Sequence, residues 1–160
     1  MNLVETDVNP INDLGKIAID TVTGFSGTVV SVVFQMSGNV QYCVTPNVSE
    51  EGNTYPESVA IDKNVIVIDQ ADNGVTDRVI KTSSQTPAFA FGEKVRDIIT
   101  GIKGIVTQRA VYISGCTFYC VENKKKNEWI NQARLKSLGV GAVIESDKPT
   151  KVGQVNVSLR

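Results

Sequence analysis

Short runs in which β-branched apolar residues alternate with polar ones, cut by glycine and proline, set the pattern of this chain. Lys16 to Thr23 alternates around Ile17, Ile19 and Val22 and predicts a strand. Gly24-Phe25-Ser26-Gly27 predicts a tight reversal in which Gly24 or Gly27 takes positive φ at little cost. Thr28 to Met36, TVVSVVFQM, is almost wholly apolar, as in a strand buried on both faces or bent across a barrel. Ser37-Gly38-Asn39 is a hairpin signal, Val40 to Thr45 returns as a strand, and Pro46 ends it. Asn47 to Glu57 is a polar loop with adjacent acids at Glu50 and Glu51. Ser58 to Asp69 then restores the strand pattern around a turn at Asp62-Lys63-Asn64.

The same plan is written twice. A gapless shift of 77 positions lays Gly92–Val121 over Gly15–Val44, with 11 of 30 residues identical. These include Asp20/Asp97, Gly24/Gly101, Gly27/Gly104, Ser37/Ser114, Gly38/Gly115, Tyr42/Tyr119 and Cys43/Cys120. The chain is therefore a tandem duplication of a unit of roughly 50 residues, near the lower limit for a self-sufficient core. In the second copy the loop after the hairpin is shorter and basic, ENKKKNE, and Trp129 to Leu138 stands where the first has Val59 to Ile68. Trp129-Ile130 reads as the fourth strand, followed by a turn, helical in propensity, into Arg134–Leu138.

Five short strands in meander order, with a long second strand, suggest an SH3-like barrel that closes to hide its edges. The expected fold is all-β: two tandem five-stranded SH3-like barrels with a C-terminal β-hairpin extension. The expected division is residues 1–13, an arm without elements; 14–69, the acidic repeat; 70–90, a linker with a short strand at Arg78 to Thr82; 91–138, the basic repeat; and 139–160, a strand extension around Pro149. The arm and the extension read as docking segments for neighbouring chains.

Composition changes this picture in two ways. With 41% apolar and 21% charged residues the chain suits a folded domain rather than disorder; it has no apolar run of membrane-spanning length, and the acids of its first residues give no expectation of an export signal. The net charge of −1 conceals an asymmetry. Residues 91–138 carry nine bases against four acids, whereas the segment up to Asp69 carries nine acids against Lys16 and Lys63. Opposite charge on two copies of one fold suits self-packing or the bridging of two surfaces.

Candidate chemistry is sparse. The chain has no histidine, which removes the commonest general base and metal ligand. Three cysteines without knuckle spacing supply no zinc site, and Cys43 and Cys120 read as small buried hydrophobes. Asp20 and Asp97 each precede a Thr-Gly turn by three residues and read as acceptors for turn amides, with Gly24, Gly27, Gly101 and Gly104 forming the turns. No catalytic residue, cofactor or metal is assigned, and the chain is read as non-enzymatic. Lys124, Lys125, Lys126 and Trp129 with Arg109 form the best nucleic-acid candidate, against a sequence pI near 5.5. Together with Glu50 and Glu51 they are the candidate interaction residues.

The recurrent core G-x-x-x-x-D-x-x-T-G-x-x-G-x-V resembles the opening of KOW and related SH3-like barrels. RDIITGIKGIVTQRAVYISGCTFYCV followed by WINQARL is more closely similar to a group of small tailed-bacteriophage proteins built from one such unit. The resemblance covers Val95 to Leu135 well and Ile17 to Val65 more loosely. It implies a virion-associated structural protein, made in the host cytoplasm, whose partners are the major capsid protein or neck and tail proteins and other copies of itself. Capsid decoration is the leading expectation. The alternative is a KOW-like module binding nucleic acid or a host transcription or translation factor.

Overall fold

The computed structural model describes residues 2–47, 56–71, 74–79 and 86–139. These residues form eleven strands and four 3-10 turns, and the strands pair antiparallel. The protein is all-β. In the first repeat the strands are β1 (Leu3–Glu5), β2 (Ile17–Asp20), β3 (Ser26–Gln35), β4 (Val40–Thr45), β5 (Val59–Asp62) and β6 (Ile66–Asp69). In the second they are β7 (Lys94–Asp97), β8 (Lys103–Tyr112), β9 (Thr117–Glu122), β10 (Asn127–Asn131) and β11 (Leu135–Gly139).

Both repeats pair their strands in one order. β2-β3-β4-β5 are neighbours in sequence and in space, and β6 returns to β2. β7-β8-β9-β10 follow the same route, and β11 returns to β7. A 3-10 turn lies before each returning strand, Lys63–Val65 in one and Gln132–Arg134 in the other. Each turn is capped by the residue before it: Asp62 accepts from the Asn64 amide at 2.8 Å and Asn131 from the Ala133 amide at 2.9 Å.

This match corrects the alignment of the fourth strand by one residue. Cys43 faces Ala60 and Cys120 faces Trp129, so Trp129 takes the place of Ala60 and not of Val59. A second pair of bonds agrees, since the Thr21 amide donates to the Val65 carbonyl and the Ile98 amide to the Arg134 carbonyl, each at 2.8 Å. Arg134 is thus the counterpart of Val65.

The chain forms two compact units, and each takes a short segment from the other repeat. One comprises the described residues within 1–34, 38–85 and 110–116; the other, those within 35–37, 86–109 and 117–160. In the first, the Ile113 amide donates to the Val30 carbonyl at 2.8 Å. Its core gathers Leu14, Val29, Val32, Tyr42, Val44 and Ile68, joined by Val111 from the incoming segment. In the second, the Met36 amide donates to the Thr107 carbonyl at 2.9 Å. Its core is Val95, Val106, Tyr119, Val121, Ile130 and Leu135, with the Phe89 ring edge-on to Tyr119.

The N-terminal stretch corrects the expectation of a featureless arm. β1 occupies the outer edge of β6, with Val4 opposite Ile68 and turned toward the core. Pro10–Asp13 is a 3-10 turn capped by Asn9, with proline where the missing amide costs nothing. Asp13 ties it down: buried, it accepts from the Asp7 amide at 2.8 Å, from the Tyr42 hydroxyl at 2.5 Å and from Lys16 Nζ at 3.1 Å. Of the strand expected at 78–82, Arg78 ends a 3-10 turn, Thr76–Arg78, and 80–82 lie outside the described residues. So do the C-terminal extension beyond Gly139 and the loop residues Glu50 and Glu51.

The repeated glycines serve two different needs. Gly24 and Gly101 have φ of 80° and 79°, and Gly38 and Gly115 have 95° and 91°, values that L side chains rarely adopt. Gly27 and Gly104 are instead places where two main chains nearly touch. A Cβ would lie 2.3 Å from the Thr45 carbonyl oxygen at Gly27 and 2.5 Å from that of Glu122 at Gly104. No rotamer change relieves an overlap with backbone, so Gly27→Ala is expected to cost about 3 kcal/mol or more. Gly38→Ala faces open space and pays only for its backbone conformation, about 1 kcal/mol. Urea unfolding of the two variants measures the difference; equal losses would refute the close-approach account.

Candidate functional site

The two Asp-x-x-Thr-Gly segments are built alike. Asp20 Oδ1 accepts from the Val22 amide at 2.8 Å and Oδ2 from the Thr23 hydroxyl at 2.9 Å, while its carbonyl accepts from the Gly24 amide at 2.8 Å. Thr23 Oγ1 in turn accepts from the Phe25 amide at 3.2 Å. Asp97 repeats this with the Ile99 amide, the Thr100 hydroxyl and the Gly101 amide, and Thr100 with the Ile102 amide. Aspartate, threonine and glycine therefore recur because together they satisfy the backbone donors of a hairpin turn. The rigid apices so formed present Val22 and Ile99, 76% and 70% exposed.

The carboxylates differ in one contact. Arg134 reaches Asp97 with Nε at 3.2 Å to Oδ1 and Nη2 at 2.5 Å to Oδ2, a two-pronged ion pair on a buried carboxylate. This guanidinium, helped by the Ile99 amide and Thr100 hydroxyl, holds the Asp97 carboxyl at about 2. Asp20, with valine in place of that arginine, is lowered chiefly by its bond from the Val22 amide. Carboxylates so committed to donors are poor proton acceptors at neutral pH. Sequence reading missed the pair because a one-residue error in alignment put Arg134 beside the wrong neighbour.

The five residues proposed as an aromatic and basic patch divide on burial. Lys124, Lys125 and Lys126 are exposed on the β9–β10 loop, where Asn123 Oδ1 accepts from the Lys125 and Lys126 amides at 2.9 and 3.2 Å. Lys126 pairs with Glu128 at 3.1 Å. Trp129 on β10 is 43% exposed. Arg109 departs from the expectation: it is 8% exposed, and burial lowers its pKa against an opposing hydrogen bond with Tyr119. The shift of 77 places Arg109 on Val32, a core residue, and that was the available signal.

Cys120 is buried, which pushes its thiol up from the ordinary value; Cys43 is half-buried and Cys116 exposed. Among the described residues no cluster of three or more His, Cys, Asp or Glu side chains is placed to hold a metal ion. No protein-family model, curated protein or solved structure matches the chain.

The ion pair has a pH signature. Asp97 has a lower pKa folded than unfolded, so its contribution to stability is full above the unfolded value of about 4 and is lost as pH falls toward 2. Arg134→Ala is expected to raise the Asp97 titration, seen by carboxyl ¹³C NMR, and to flatten the acid limb of stability in that window. An unmoved Asp97 titration would exclude the arginine as the main cause.

Proposed function

We propose that the chain is a non-enzymatic structural subunit of a tailed-bacteriophage particle, a capsid decoration protein that holds neighbouring subunits together, with a neck or tail position as the variant. Its two units are read as SH3-like barrels. The shared pairing order, four strands in meander with the fifth returning to the first after a 3-10 turn, supports that reading.

One observation carries the assembly role. Residues that recur between the repeats hold turns and cores: Asp20/Asp97, the paired glycines, Val29/Val106 and Tyr42/Tyr119. Outward-facing strand positions have diverged in charge, with Ile19 opposite in kind to Arg96 and Val67 to Lys136. Duplication for a shared reaction or ligand would retain a common surface site. Duplication for assembly retains the scaffold and varies the faces.

Exposure of Lys124, Lys125 and Trp129 favours a second reading, a KOW-like module on nucleic acid or a host transcription or translation factor. That reading demands binding that falls steeply with salt and on neutralising the two lysines. The particle reading predicts the protein in purified virions, counted by quantitative mass spectrometry. Copies on the order of hundreds place it on the capsid, and about six or twelve in the neck or baseplate, by closed rotational symmetry. Its absence from virions would overturn the reading.

A further inference from the structure

Strand register exposes a basic surface that is separate from the lysine loop. Arg96 lies directly across from Lys136 on one side and Lys103 on the other. Directly opposed residues in antiparallel strands share a face, so the three form a row at steps of about 5 Å. Lys94, two residues from Arg96, lies on that face as well. All four are exposed, while Val95 and Asp97, on either side of Arg96, are buried. Among the described residues none of the four pairs with a carboxylate, whereas Lys126 and Arg134 do. Like charges directly opposed in a sheet are unfavourable, by about 0.2–1 kcal/mol for each pair. An edge lysine such as Lys136 is explained as a guard against stray pairing, but Arg96 and Lys103 are on paired strands.

The equivalent face of the first repeat has the opposite character. Ile19 replaces Arg96, Ile17 replaces Lys94, Ser26 replaces Lys103 and Val67 replaces Lys136. β1 then widens the face, with Glu5 opposite Val67 and Leu3 opposite Asp69. That face therefore carries two acids and several half-exposed apolar side chains, with no base on its strands.

We propose that the basic face of β7, β8 and β11 docks on the acidic face of β1 and β6 of a second copy, with Arg96, Lys103 and Lys136 meeting Glu5 and Asp69. The proposal rests on the assembly reading above and names the partner as this chain itself. The contact joins two different patches, so each copy keeps one face of each kind, and association continues until a ring closes or a filament grows. β1 thereby has a second role: besides covering the β6 edge, it supplies Glu5 and the exposed Leu3 to the acceptor surface.

Sedimentation velocity on the full chain tests this, with thermal melts to show that each variant folds. Wild type is expected to self-associate at low salt and to weaken as ionic strength rises from about 0.05 to 0.5 M. Reversing the basic face with Arg96→Glu, Lys103→Glu and Lys136→Glu is expected to weaken association by about tenfold or more, as is reversing the acidic face with Glu5→Lys and Asp69→Lys. The milder Glu5→Lys alone, at an exposed site, serves if the double variant does not fold. Mixing the two reversed proteins should restore association, because each then offers what the other lacks. A monomeric wild type, association indifferent to salt and reversal, or no rescue on mixing would overturn the proposal. So would a basic face whose reversal abolishes binding to duplex DNA and leaves self-association unchanged. Because the readout needs no virions, its failure is distinguishable from absence of the protein from particles.

Discussion

Everything in each unit hangs on one close approach of two main chains. Gly27 at the start of β3 sits against the Thr45 carbonyl, and Gly104 at the start of β8 sits against that of Glu122. With no side chain between them, the strands come near enough for the long strand to bury Val29 or Val106 under its neighbour. The flanking turn supports this approach, because Asp20 and Asp97 fix the reversal that delivers the glycine. Backbone satisfaction in the turn and packing in the core are thus parts of one device.

The buried tyrosines show how the same scaffold tolerates different solutions. Tyr42 and Tyr119 are both fully buried, and each hydroxyl needs a partner. Tyr42 donates to Asp13, and burial together with that carboxylate raises its pKa. Tyr119 accepts from the Ala88 amide at 3.0 Å and interacts with Arg109. The partners come from the same lead-in stretch but not from the same position, since the shift of 77 that relates the repeats puts Pro10 on Pro87 and Asp13 on Ala90, two residues beyond Ala88. In the first unit an acid binds the lead-in segment to the core; in the second a main-chain amide and the Phe89 ring do so.

Strand positions were legible from alternation and from the repeat, and the Asp-x-x-Thr-Gly turn was legible because its donors and acceptors are local in sequence. Four features were not. β1 is three residues long and gains its conformation from the β6 edge, a contact across more than sixty residues that no local pattern records. Arg134 finds Asp97 only when the fourth strand is in register, and a loop of different length hides that register. Arg109 was misread because charge was taken as exposure, although the aligned Val32 marked a core position. The basic row of Lys136, Arg96 and Lys103 is scattered over forty residues and appears only once strands are paired.

That row bears on why the faces diverged while the cores did not. Each inward position answers to its neighbours: Val95, Val106 and Leu135 fill one volume, and a change at any of them opens a cavity or overfills it. Outward positions on the same strands answer to little within the unit, so Arg96, where the first repeat has Ile19, costs the fold a few tenths of a kcal/mol to about one for each like-charged neighbour, Lys103 and Lys136. Across β7, β8 and β11 that cost is incurred repeatedly and in one sign, and among the described residues none of these bases pairs with a carboxylate. Random exchange on a solvated sheet would mix signs, as Lys126 at the end of the β9–β10 loop and Glu128 on β10 do. A block of one sign on one repeat and of the other sign on its sister is what a partner with the same two faces would maintain.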